Sequence, residues 1–353
     1  MNFKKIATLV FASALLFNIS CNNDDDPIVN QPKGAYENGI LVVNEGSFTS
    51  PTGEISFINN DFSSIENSIF KKNNNDELLG SVIQTIGFQG DNAYLVSNVP
   101  NKIEIVNRYT FKKVATVTNN LDNPRYIAFS GNQYYVTNNN FFDVMKLNVY
   151  NSDNTFVKSI NFDNAAEKVV EANGNIVVQT DGVTYDSDYN ELPTGYTISI
   201  VKPSTNEVSK VVTLPENGII RDLISYNGDA YALASDNTNS YIYKINSSTG
   251  AFTTTTLSGI PQVQKLRIDG ASYYFADNGN NIYAMTIGSS SVPTSPIVTA
   301  PGYLYGFNVI DGIIYTSDAN FTGNSKIYAY STTNGSLIKS FDAGIGTNGF
   351  YKN

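Results

Sequence analysis

One unit recurs seven times along the chain: an apolar stretch, a short turn built on glycine, and a β-rich stretch ending in polar residues. It is plainest in "RYIAFSGNQYYVTNN" (125–139), "DLISYNGDAYALASDN" (222–237), "KLRIDGASYYFADNG" (265–279) and "YGFNVIDGIIYTSDAN" (305–320). "TIGFQGDNAYLVSN" (85–98) and "KVVEANGNIVVQTD" (168–181) fit as well, and "ENGILVVNEG" (37–46) matches only the second half. The turn glycines are Gly39, Gly90, Gly131, Gly174, Gly228, Gly270 and Gly312, at intervals of 41 to 54 residues. A repeat of this length is one supersecondary unit that buries a core only by stacking on its neighbours. Glycine, often as Asn-Gly or Asp-Gly, supplies the positive φ of a tight hairpin. Apolar alternation on both sides marks half-buried strands.

A third strand follows each pair, as in "KIEIVN" (102–107), "YIYKIN" (241–246), "NIYAMTI" (281–287) and "KIYAYS" (326–331). A fourth follows in "KKVATVT" (112–118) and "LIKSFD" (337–342). Four strands in about 40 residues is the arithmetic of a propeller blade. The expected fold is therefore all-β: a seven-bladed β-propeller with four antiparallel strands per blade. The first unit lacks the strand before its glycine, whereas the last unit is followed by a surplus segment, "GTNGFYKN" (346–353). That tail is expected to supply the missing inner strand of blade 1 and close the ring, removing an open sheet edge. A parallel β-helix would use shorter and more regular coils.

Composition narrows the function. The chain has no histidine, no tryptophan and one cysteine in 353 residues, with a formal net charge of −10. Absence of histidine removes Ser-His-Asp and Cys-His catalysis and His-ligated metals. A single cysteine removes intrachain disulfides and Cys-rich metal sites. The acidic balance argues against a nucleic-acid partner, which needs a basic footprint. Oxygen-ligated cations and carboxylate chemistry stay open. "DSDYNE" (186–191) is similar to half of a calcium loop but lacks the glycine at position six and the closing Glu spacing, so no bound metal or cofactor is expected.

The cysteine sits in "NISCNNDDD" (18–26), after Lys4, Lys5 and the apolar run 6–19. That run is shorter than the roughly 20 residues that span a bilayer and reads as a secretory signal. Cys21 directly after Ser20 resembles a bacterial lipoprotein signal, with Asn18 departing from the leucine usual three residues before the cysteine. The resemblance implies an acylated Cys21 and an outer-membrane lipid anchor. The acidic run behind it resembles the surface-export signal of Bacteroidetes lipoproteins, which implies a protein facing the cell exterior. The organisation expected is a signal peptide over 1–20, the lipidated cysteine and an acidic linker over 21–37, and one propeller over 38–353.

Ligands of propellers favour the face on which second strands end and inner strands begin. The loops expected there are 44–54, 97–102, 138–143, 180–196, 235–240, 277–281 and 317–325. They carry Phe48, Phe141, Phe142, Tyr185, Tyr189 and Phe321, with Asn138, Asn139, Asn140, Asp236, Asn237, Asp277, Asn278 and Asp318. Aromatic rings supply contact area and amides fix orientation, although each Asn or Asp taken singly is a turn-former. The fourth loop is the longest and could fold over the face. Counting back six from the turn glycines gives Gln84, Arg125, Lys168, Asp222, Gln264 and Gly306, with Arg221 and Lys265 beside this row. Its basic members would ring the central mouth and attract an anionic group.

"YYVTNN" (134–139), "YLVSN" (94–98) and their glycine turns resemble the YncE-like propellers over about residues 38–353. With the lipoprotein signal, the chain is similar to the surface cobalamin-binding (BtuG-like) lipoproteins. That resemblance implies a non-enzymatic protein that captures a corrinoid for a TonB-dependent outer-membrane transporter. Two alternatives stand beside it: a glycan-binding accessory of a polysaccharide uptake system, and a hydrolase or lactonase using a carboxylate-held metal.

Overall fold

In the middle strands both faces are apolar. "GILVVN" (Gly39–Asn44) is buried at every position, and "QYYVTNN" (Gln133–Asn139) at all but its first. Such strands belong inside a stack of sheets, covered on both sides. Toward the blade edges burial falls away instead: "EVSKVVT" (Glu207–Thr213), an outermost strand, buries only Val212.

The computed structural model describes residues 32–353, and 34–353 form one compact unit. The leader, Cys21 and the acidic run lie outside the described residues. Seven four-stranded antiparallel sheets follow one another as the blades of a propeller. Blade 2 is Val82–Gln89, Asn92–Val99, Lys102–Asn107 and Lys113–Val117. Blade 3 is Pro124–Ser130, Gln133–Asn139, Met145–Asn151 and Phe156–Asn161. Blade 4 is Val169–Ala172, Asn175–Gln179, Thr197–Lys202 and Glu207–Thr213, with a small hairpin, Val183–Tyr185 and Glu191–Pro193, inserted after its second strand. Blade 5 is Ile219–Tyr226, Asp229–Ser235, Asn239–Ile245 and Phe252–Ser258. Blade 6 is Val263–Asp269, Ser272–Asp277, Asn281–Thr286 and Val298–Thr299, and blade 7 is Leu304–Ile310, Ile313–Asp318, Lys326–Ser331 and Leu337–Asp342.

Blade 1 closes the ring. Its inner strand is Thr347–Lys352, paired antiparallel with Gly39–Asn44 from Ile40↔Lys352 to Asn44↔Thr347, and Glu54–Asn59 and Ile65–Glu66 lie outside it. The tail therefore supplies the missing strand. Seven hydrophobic clusters fill the described structure, one between each pair of adjacent blades. The cluster between blades 7 and 1 joins Phe350, Val42 and Ile58 to Tyr315 and Ile327. A short helix, α1 (Ile69–Asn73), plugs Ile69 and Phe70 into the cluster between blades 1 and 2. Tyr36, assigned from sequence to the linker, lies in that same cluster, its ring edge-on to Phe57 and Phe111 at 5.3 and 5.7 Å.

Six of the seven glycine turns are two-residue hairpins with a left-handed glycine (φ 57–81°). In Asn173-Gly174, Asn227-Gly228 and Asp311-Gly312 both central residues have positive φ, the type I′ pattern. Gly39 is the exception. The strands on either side of it come from opposite parts of the chain, so no turn exists there. Gly39 is extended within its strand, and the positive φ falls on Asn38 (φ 60°). Asn353 bridges the gap instead: its N–H donates to Gly39 O at 2.9 Å and its Oδ1 accepts from Arg108 Nε at 2.7 Å.

Candidate functional site

Each inner strand starts at the face where the second strands end, and six of the seven carry a bulge or register irregularity there. The extra residues are Asn348, Gln84, Arg125 with Tyr126, Arg221, Gln264, and Tyr305 with Gly306. A bulge re-aims side chains and strengthens local twist. Polar residues from every blade, re-aimed by such a bulge in all but blade 4, line either a central channel of about 290 Å³ or the mouth of about 450 Å³ over blades 3 to 7.

The mouth is built in paired layers. Arg125 forks onto Glu167, with Nη2–Oε1 at 2.8 Å and Nε within 3.2 Å of both oxygens. Asn139 donates to the same carboxylate at 3.1 Å and accepts from the N–H of Phe141 at 2.9 Å. That bond sets Phe141 over the guanidinium, 5.3 Å from ring centroid to Cζ. Burial opposes the charge of Arg125, but Glu167 outweighs it and raises the guanidinium pKa further.

Asp222 is the buried hub. Oδ2 accepts from Arg267 Nη1 at 2.8 Å and Leu266 N–H at 3.1 Å, and Oδ1 accepts from Leu223 N–H at 3.0 Å. Lys168 lies 3.8 Å from Oδ1, with its ammonium 3.9 Å from the Tyr126 ring centroid. Burial alone would raise the Asp222 pKa, but Arg267, Lys168 and the Leu266 N–H hold it below the usual carboxylate range. Arg221 is answered by Glu191 of the inserted hairpin at 2.6 Å, which ties that hairpin down beside the mouth.

Lys265 has no such answer. Among the described residues no carboxylate comes within 4.0 Å of its ammonium, and its nearest ring is Tyr305, at 5.7 Å. The Tyr305 hydroxyl is engaged elsewhere, donating to Glu45 Oε2 at 2.8 Å, while Gln84 donates to Glu45 Oε1 at 2.7 Å. Burial, helped by Lys168, draws the pKa of Lys265 down to about 8. Lys265 lines the channel, the mouth and a third cavity of about 570 Å³ shared with Tyr303 and Glu191. Tyr303 stacks on Tyr305 at 5.8 Å, and Phe321 stands edge-on to Tyr305 at 5.2 Å, so three rings rim this side.

Of the residues singled out from sequence, the structure gathers Arg125, Lys168, Arg221, Lys265 and Phe141 around the mouth. Phe321 joins the rim through Tyr305. Tyr189 lines a separate cavity of about 420 Å³ beside Arg221. Phe48, Phe142 and Tyr185 stand at loop tips, 74%, 87% and 58% exposed, and line none of these cavities. Tyr126, Glu167, Arg267, Tyr303 and Tyr305 were not foreseen; "GYLYG" (302–306) offered a signal, two tyrosines at the start of an inner strand. Most loop amides and acids serve their own turns. Asp277 Oδ1 accepts from the N–H groups of Gly279 and Asn281, and Asn140 Oδ1 from those of Phe142, Asp143 and Val144. Asp186 caps the hairpin tip, accepting from the N–H groups of Asp188 and Asn190, each at 2.9 Å. Among the described residues, no three Asp or Glu side chains gather as a metal-ligand set, and no helix is long and apolar enough to cross a membrane.

Solved structures share the architecture. A Lactobacillus plantarum protein superposes with a TM-score of 0.64 at 16% identity, covering 90% of this chain and 99% of that one. Hydrazine synthase of Kuenenia stuttgartiensis gives 0.57 at 14%, covering 78% and 95%, and dihydro-heme d1 dehydrogenase NirN gives 0.55 at 13%, covering 91% and 77%. At such identities the likeness is one of fold. No curated protein sequence matches the chain. Residues 38–348 match the family described as a domain of unknown function, DUF5074, and the chain belongs to that family.

Proposed function

We propose that this protein is a capture protein: it binds a small polar ligand at the propeller mouth, with an anionic group of the ligand on Lys265. The planar part of the ligand lies on the rim rings Tyr303, Tyr305, Phe321 and Phe141. One observation carries the reading. Four of the five cations in the mouth are matched by carboxylates, and Lys265 alone faces open cavity without one. An unmatched, half-buried cation is costly to keep, and a site that keeps one is arranged for an incoming anion.

A corrinoid fits this chemistry, offering a wide polar ring system, peripheral amides and one phosphodiester. It is also the ligand implied by the resemblance to surface cobalamin-binding lipoproteins. On this reading an acylated Cys21 anchors the propeller to the outer membrane, facing outward, and a TonB-dependent transporter receives the ligand. The first test is size-exclusion chromatography of the protein with excess cyanocobalamin, followed by visible absorbance. Near one-to-one co-elution is expected, weakened at least ten-fold in Lys265→Gln. Absence of co-elution, with retention on a glycan array instead, would transfer the mouth to carbohydrate.

A further inference from the structure

The position of Lys265 suits chemistry as well as charge pairing. Its neighbours are committed: Asp222 to Arg267, Lys168 and two backbone N–H groups, and the Tyr305 hydroxyl to Glu45. Glu191, on the hairpin side, is taken by Arg221. What faces the amine from the other blades is the Tyr305 ring, the Lys168 ammonium and cavity, with Arg267 beside it on its own strand, and the charge of Asp222, which lies beyond ion-pair distance, offsets the two cations only in part. Such surroundings disfavour the ammonium and favour the free amine, the form in which lysine is a nucleophile. The Lys265 side chain borders three cavities, and its residue is only half-buried.

We propose that Lys265 is a carbonyl-capturing lysine, forming a reversible imine with a small aldehyde or ketone that carries an anionic group. The Nζ lone pair adds to the carbonyl carbon. The carbonyl oxygen then leaves with the two amine hydrogens as one water, and no oxidant or reductant is consumed. Lys168 and Arg267 flank the amine and draw the anionic group toward it. With its pKa near 8, roughly a tenth of Lys265 is free amine at pH 7, against well under a thousandth of an ordinary lysine. This proposal uses the same mouth as the capture reading but not its ligand. Cyanocobalamin has no aldehyde, so the two readings fail separately.

The test uses the full chain with pyridoxal 5′-phosphate as probe, borohydride to trap the imine, and peptide mass spectrometry to locate it. Lys265 should be labelled at pH 7.5 at least ten-fold faster than the exposed Lys71 and Lys210. The pH midpoint of its labelling should lie near 8 and move upward in Lys168→Gln, which removes a neighbouring cation. A purely structural lysine would show neither the low midpoint nor its dependence on Lys168. Labelling of Lys265 no faster than that of Lys71 and Lys210 in the unsubstituted protein would overturn the proposal, without any variant needing to fold.

Discussion

The two ends of each inner strand meet opposite requirements. At the turn end, six two-residue hairpins repeat nearly the same backbone, and a side chain added at Gly90, Gly131, Gly174 or Gly270 would meet nothing, or almost nothing, within 4 Å. At the mouth end, roughly 20 Å away along a strand of some six residues, the ladder is bulged and crowded with charge. The difference teaches how one short strand serves both fold and site. A hairpin fixes register at one end, so an extra residue at the other end re-aims side chains without slipping the sheet. The mouth bears the cost in buried charge, and in the Asn348 Oδ1, which is buried without a hydrogen-bond partner beside the channel.

The comparison breaks first if the mouth contributes little to stability. Asp222→Ala removes the buried carboxylate that the half-buried Arg267 and Lys168 share and should cost about 3 kcal/mol, read as a lower urea midpoint at pH 7. The pH dependence has a definite sign. The folded pKa of Asp222 is depressed, so its contribution is fully present above the unfolded value of about 3.9 and is lost as pH falls through the folded value. The acid limb of the stability profile below about pH 4 should be shallower in the variant. Equal acid limbs would show that the hub is not held as its four contacts require.

Lys265→Met should act in the opposite direction. It removes a cation that nothing matches and leaves an apolar stem of similar length, so it should stabilise the fold by about 1 kcal/mol while abolishing imine labelling. For Lys265 the folded pKa, about 8, lies below the unfolded value of about 10.4. Protonation therefore favours the unfolded chain, and the penalty is complete below pH 8 and disappears above about 10.4. The stability gain of the variant should be constant below pH 8 and vanish across that window. A destabilised variant at pH 7 would mean that Lys265 is already satisfied, which would remove the ground for both readings of the mouth.

The turn end was the more legible from sequence, for a local reason. Gly228 and Gly312 follow Asn227 and Asp311, and such pairs specify a hairpin through their own backbone preferences. Strand limits such as Lys326–Ser331 and Leu337–Asp342 follow the apolar pattern between turns. Gly39 misled because its turn is replaced by a non-covalent seam between distant parts of the chain. At the mouth, counting back six found Arg125, Lys168 and Asp222. A bulge breaks the period of two, however, so adjacent residues such as Arg125 and Tyr126 both reach the channel. No sequence pattern signals where that parity changes, and Tyr126, Tyr305 and Arg267 went unseen. Aromatic loop tips misled differently: Phe48 and Phe142 sit on loops whose polar side chains close the loops on themselves, as Asn140 does, and nothing in the described structure directs those rings inward.

The smallest effect tests the turn end itself. Gly90 has φ 59° with open space around the missing Cβ, so only backbone preference opposes substitution there. Asparagine tolerates the left-handed region, and Gly90→Asn should cost no more than about 0.5 kcal/mol. Gly90→Val places a β-branched side chain in the same region and should cost about 1–2 kcal/mol. Both should leave labelling of Lys265 unchanged, because the register that positions the mouth is held by the whole ladder from Gln89↔Asn92 to Val82↔Val99. If Gly90→Val altered the labelling rate as much as the stability, the two ends of the strand would be coupled, and fold and site could not be assigned to separate stretches of it.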